Sequence, residues 1–147
     1  MEAVYPYAHI IHLLLAIVFL GYIFFDVVIF PVVKKTLGED KAKEMKQAIS
    51  SRTIKIMPLS VLLLVLTGGM MMTHYVNSKL GWFTTPMQQL FMIKVLFAAI
   101  IALGIIFSLS YKAVRKQPNP ITAKYLHPLA LILGIGIVIL AKTMFIV

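Results

Sequence analysis

Residues 7–33 read YAHIIHLLLAIVFLGYIFFDVVIFPVV, an apolar run interrupted by two imidazoles, His9 and His12, and one carboxylate, Asp26. A helix needs about 20 apolar residues to cross a hydrocarbon layer of about 30 Å, so this run predicts a membrane-crossing helix with length to spare, which tilts or protrudes. It is not read as a cleaved secretory signal. Met1 to Ala8 carries no basic segment, and the apolar stretch continues past Gly21 to Val33, so it is expected to stay in the mature protein.

Working outward, three more apolar runs lie at about 54–75, 89–111 and 125–147. The whole chain is 61% hydrophobic and 13% charged, with a mean hydropathy of +0.95, where soluble domains carry roughly 25% charged residues. Lipid is therefore the expected solvent, which sets aside a soluble enzyme, a disordered tail and a nucleic-acid module. The net charge of +9 does not change this, because the basic residues lie between the runs. Lys34, Lys35, Lys41, Lys43, Lys46, Arg52 and Lys55 fall in the first gap, and Lys112, Arg115, Lys116 and Lys124 in the third, the pattern of loops retained in the cytoplasm.

Residues 34–53 and 112–124 are accordingly read as cytoplasmic loops, the first with room for a short solvated helix over 38–50. Residues 76–88, with Lys79 as their one basic residue and Trp82 suited to the interface, are read as external. Pro58 sits in the first turns of the second span, where a missing N–H is tolerated. Short connections and no internal repeat predict one transmembrane domain: an all-α, antiparallel, up-down four-helix bundle with both termini outside.

An ionisable side chain in hydrocarbon costs several kcal/mol (roughly 2.5–3.5 on insertion scales), which makes each one a candidate for function. The set is His9, His12, Asp26, His74, Lys94, His127 and Lys142. Counting depth at about 1.5 Å per residue brings His9, His12, His74, Lys94 and Lys142 to one outer level, with Asp26 and His127 nearer the cytoplasm. His9 and His12 share a helix face, Met70 and Met71 share one with His74, and His12, Phe19 and Asp26 follow a seven-residue spacing. Plainer readings stand beside this: His9 and His74 as headgroup-level residues, Lys142 snorkelling to the surface, and His127 before Pro128 marking the inner interface. A carboxylate as deep as Asp26 must be paired, hydrogen-bonded or protonated.

Imidazoles from facing helices at one level suit a metal or a haem iron. With no cysteine in the chain, the donors are His, Met and a deprotonated Lys. A b-type haem would take His12 or His9 facing His74. Copper(I) would take Met70, Met71, Met72 and His74, completed by His9 or His12, although most membrane methionines only fill gaps.

Four segments carry a resemblance: HLLLAIVFLGYIFF at 12–25, IKIMPLSVLLLVLTGGMMM at 54–72, QLFMIKVLFAAIIALG at 89–104 and HPLALILGIGIVILAKTMF at 127–145. In order and spacing they resemble the superfamily joining HemJ-type protoporphyrinogen IX oxidases with CopD-type copper-resistance membrane proteins. The resemblance covers nearly the whole chain and implies functional roles for His12 and Lys94. It also implies a bound haem b, oxidation of a porphyrinogen, electrons passed to the respiratory chain, and a place in the bacterial cytoplasmic membrane. The sequence departs from the HemJ pattern at FLGYIFFDVVIFP (19–31), where Asp26 stands and the family's Tyr-Leu-Pro-Arg-Leu run is missing. If that Arg holds a porphyrin carboxylate, its absence moves the chain toward the CopD branch or another haem-binding relative.

The leading expectation is a membrane b-type haem protein with His12 as axial ligand, His74 or Lys94 opposite, and His9 as a supporting or alternative ligand. Lys94 or Lys142 would pair with a propionate, Asp26 would relay protons, and Asp26 and Lys94 would be the catalytic candidates. A porphyrin or a quinone would be the redox partner beside the lipid bilayer, with no nucleic acid. The alternatives are copper handling through His12, His74, Met70 and Met71, and a structural subunit of a larger complex. Gly68, Gly69, Gly134 and Gly136 permit close helix contact, either within the bundle or in a homodimer.

Overall fold

The computed structural model describes residues 2–147. Its elements are α1 (Tyr5–Phe24), a π-helical turn (Phe25–Ile29), α2 (Pro31–Leu37), α3 (Glu39–Tyr75), α4 (Pro86–Arg115) and α5 (Pro120–Thr143). No strand occurs among the described residues. Four helical stretches are long and apolar enough to cross a membrane, the first running through the π turn as Tyr5–Leu37. The fold is therefore that of a multi-pass membrane protein.

The π turn has a local cause. Pro31 has no N–H to offer Val27, and its ring crowds that carbonyl. The preceding turn loosens, and the Phe30 N–H reaches back five residues to the Phe25 carbonyl at 2.8 Å.

The first gap differs from its expected form. Rather than a loop with a short helix, residues from Glu39 onward belong to α3, which runs unbroken for 37 residues, about 55 Å. Neither Gly nor Pro interrupts the chain between Gly38 and Pro58, the residues are good helix formers, and Glu39 and Asp40 sit in the first turn where the helix dipole favours acids. Pro58 thus lies deep inside a helix rather than in its first turns. Gly38, at φ +87°, makes the reversal between α2 and α3 in a conformation that L side chains resist. Lys34 and Glu39 pair across it at 2.9 Å.

The helices pack in a ring: α1 against α3 and α5, and α4 against α5 and, more loosely, α3. Phe19, Ile23, Ile101 and Ala130 form a buried layer in the middle. Gly134 lets α5 come so close to Leu20 that a side chain there would collide with it. A second apolar cluster, Val76, Phe91 and Met144, closes one end. There Tyr75 touches Tyr5, Phe91 and Phe145, so this is the Tyr75 end; the opposite one is the Gly38 end. Outside the small core the helix surfaces carry Leu, Ile, Val and Phe, among them Ile17 at 69% and Ile132 at 68% exposure. In water such surface would be untenable, whereas lipid accepts it.

Gln88 holds the connection between α3 and α4, and nothing in the sequence pattern singled it out. Only 3% exposed, its side-chain oxygen accepts from the backbone of Thr84 and Thr85 in a capping box, while its amide donates toward the carbonyls of Tyr75, Leu80 and Gly81.

Candidate functional site

Polar side chains gather at two levels. Toward the Tyr75 end, His12 on α1 lies against α3, its Nδ1 2.8 Å from Thr67 Oγ1. The Thr67 hydroxyl has one hydrogen and spends it on the Leu63 carbonyl at 2.7 Å, a bond that α3 imposes on a buried threonine. Its oxygen is then the acceptor for the imidazole, so His12 carries its proton on Nδ1. In that tautomer Nε2 is the nitrogen that a ligand would take. Metal-ligating histidines are held this way, one nitrogen tethered to an oxygen and the other presented. Gly68 makes the approach possible, since a Cβ there would stand 3.2 Å from the ring's Cε1.

His9 and Lys94 lie within electrostatic reach of this imidazole. Lys94 extends over the Phe91 ring at 4.5 Å and is half-buried. No carboxylate among the described residues pairs with it. Helices α1 and α4 do not pack on each other, so His12 and Lys94 stand on opposite members of the ring.

The structure does not bring every outer candidate to this point. His74 is exposed and lies against the Tyr5 ring at 4.7 Å. It is seven residues beyond Thr67 on α3, about 10 Å farther along the axis, and the Tyr5 ring that it meets also lies 5.7 Å from the His9 ring. Lys142 is exposed in the last turn of α5 and makes no ion pair among the described residues. The Met run divides: Met72 packs in the end cluster, while Met70, Met71 and His74 line an open groove of about 460 Å³ with Tyr5, Ala8 and Asn77. Among the described residues no three His, Asp or Glu side chains converge as a metal cage. The Tyr5 and Tyr75 hydroxyls are hydrogen-bonded beside this groove, a link the sequence did not announce.

At the second level, toward the Gly38 end, Asp26 in the π turn meets His127 of α5, Oδ2 to Nδ1 at 2.6 Å. The Asp26 side chain is 11% exposed, and the Lys46 ammonium stands 3.7 Å from its other oxygen. Lys46 also lies over the Phe30 ring. Tyr22, one turn before Asp26, meets the His127 ring edge to face at 6.1 Å. Sequence depth put Asp26 and His127 on the same side without joining them.

Taken as a haem site, the outer cluster fits in part. It offers the His12 imidazole, with His9 one turn before it on α1, and one cation, Lys94, that has no counter-ion among the described residues. No protein-family model, curated relative or solved structure matches the chain, so the site rests on its own chemistry.

Proposed function

We propose that this chain is a redox protein of the bacterial cytoplasmic membrane whose four spans alternate in direction. Both termini and the α3–α4 connection lie outside, and the Gly38 hairpin lies in the cytoplasm. Charge supports the orientation: the basic residues cluster around Gly38 and the α4–α5 connection, with Lys79 alone in the α3–α4 connection.

The proposed ligand of His12 is a b-type haem, which when bound would carry one electron by cycling its iron between two oxidation states. The observation that carries this reading is the 2.8 Å contact of His12 Nδ1 with a Thr67 hydroxyl already bonded to Leu63, an arrangement that would leave Nε2 for a ligand. Lys94, half-buried and without a carboxylate, supports it as the partner of a haem propionate. His9, one turn before His12 on α1, would tune it or take its place. A porphyrinogen or a quinone as electron donor or acceptor, and the tie to HemJ-type and CopD-type proteins, belong to this proposal. So do His74 or Lys94 as the second axial ligand, and a homodimer.

Copper(I) is the second reading, favoured by the shared groove of Met70, Met71 and His74. Absorption spectra of the purified protein distinguish the two. A reduced-minus-oxidised b-type α-band that disappears in His12→Ala is the expected result. A colourless protein that retains copper, and loses it in His74→Ala, would replace haem with copper. Neither signal would leave a structural subunit.

A further inference from the structure

The Asp26–His127 pair lies outside the haem reading and does not depend on what His12 binds. At 2.6 Å one proton bridges Oδ2 and Nδ1, and the pair is neutral when His127 carries a second proton on Nε2. Losing that proton would normally strand a negative charge in a poorly solvated place. Here Lys46 stands 3.7 Å from the free carboxylate oxygen, so the three side chains together would pass from one positive charge to none. The deprotonated state is thus provided for.

Access is provided on one side. Asp26 lines an open groove of about 710 Å³ with Lys34, Glu39, Lys43, Lys46 and Gln47, all beside the Gly38 reversal. In the other direction lies the buried apolar layer of Phe19, Ile23, Ile101 and Ala130, with Tyr22 packed against it. Fourteen residues of chain, about 20 Å, separate Asp26 from His12.

The groups facing the pair come from every element around it. They are Tyr22 of α1, Lys34 of α2, Glu39, Lys43 and Lys46 of α3, and His127 itself from α5, where Lys124 turns away over the Tyr125 ring. Asp26 stands in the π turn, and such turns are frequent at functional sites.

We propose that Asp26 and His127 form a proton-exchange site, loaded and emptied through the groove at the Gly38 end. In release, the pair gives one proton to groove water and is left as a carboxylate with a neutral imidazole whose remaining hydrogen stays on Nδ1, toward Oδ2. In loading, a proton from that water returns to the pair, and no bond other than those to hydrogen is made or broken.

The test uses the full chain inserted one way in liposomes, with ¹³C-labelled aspartate followed by infrared spectroscopy. Asp26 and Asp40 are the two aspartates, and Asp26→Asn identifies the signal. The solution on the Gly38 side is titrated over about pH 5 to 8 while the other side is held constant. The Asp26 signal is expected to follow that titration and to ignore the opposite one. Lys46→Gln, which makes the deprotonated pair harder to reach, is expected to displace the midpoint by about one pH unit, and Lys79→Gln, in the α3–α4 connection, to leave it in place. Lys46 is 57% exposed, so its replacement keeps the test available if Asp26→Asn fails to fold; His127 is then read from its ¹⁵N ring signals. An Asp26 or His127 signal that stays fixed over this range, or one that follows the opposite solution, overturns the proposal.

Discussion

The two polar levels are built on opposite principles. Near the Tyr75 end, groups with unused capacity are held in place: the Nε2 of His12, an ammonium on Lys94 without a carboxylate, and an exposed His74. Near the Gly38 end the charges answer one another, with Asp26 satisfied by His127 and by Lys46. A membrane interior penalises unmet polar capacity, so a set of side chains left open implies something from outside to fill it, whereas a closed set can serve structure and proton traffic at once. Removing a partner should therefore cost stability at the closed level and ligand affinity at the open one.

The largest effect is expected at the closed level. His127→Ala leaves the Asp26 carboxylate with only Lys46 at 3.7 Å, an imperfect substitute. Removing one partner of a well-buried pair costs about 3–5 kcal/mol, and the partial exposure of His127 should bring this to about 2–3 kcal/mol. Thermal unfolding in detergent measures it. The double variant Asp26→Asn, His127→Gln should recover most of the loss, because no charge is then stranded. Equal losses in the single and double variants would show that the pair is packing and not charge compensation.

Gln88→Leu comes next and asks whether the two levels are mechanically independent. It strips the side-chain acceptor from two backbone N–H groups and the donor from three carbonyls, some of which water can reach. A loss of about 2 kcal/mol is expected. Proteolysis should increase within 76–85, while the infrared signature of Asp26 stays as in the native chain. A changed Asp26 signal would mean that the buried layer around Phe19 couples the two ends.

Thr67→Val tests the open level. Valine keeps the shape of threonine and removes the oxygen that fixes the His12 tautomer. Loss of such an outer partner typically weakens a bound metal group 10- to 100-fold, so haem affinity should fall by roughly tenfold with little change in unfolding. Titration of the purified apoprotein with haem gives the number. A large drop in stability with unchanged affinity would move Thr67 from the ligand's support to the helix packing.

These contrasts also mark what the sequence could reveal. Helix-length apolar runs are a strong signal, which is why four helices long and apolar enough to cross a membrane were legible, and why Asp26 and His127, which meet, were assigned to the same side. Azimuth was not. Asp26 and His127 are 101 residues apart, and the π turn at Phe25–Ile29 inserts a residue that shifts every position beyond it around the helix. Pro31 was the visible cue to that turn, and the unbroken run of helix formers from Glu39 was the cue to the length of α3. Thr67 and Gln88 escaped notice because uncharged polar residues carry no depth penalty large enough to mark them. Their importance comes from what they touch: a ring 55 residues earlier in the chain for Thr67, and a turn's backbone for Gln88.

The smallest effect is the most specific. Gly68 and Gly69 are neighbours on α3, yet a Cβ on Gly68 would meet the His12 ring at 3.2 Å, whereas one on Gly69 would meet nothing within 4 Å. Both changes to alanine gain helix propensity of up to about 1 kcal/mol, which in Gly69→Ala should appear undiminished as a slightly higher unfolding temperature. In Gly68→Ala the gain is offset, because a ring already tied to Thr67 must yield by a few tenths of an ångström. Net stability should be nearly unchanged. The yielding ring re-aims Nε2, so a His12-ligated haem should show a displaced α-band and about a two- to threefold weaker affinity, within the cost of a small off-rotamer shift. The Gly69 variant should match the native spectrum. Identical spectra for both variants would mean that the presented face of His12 is not where the ligand sits, and the open level would lose its claim to a cofactor while the closed level kept its own.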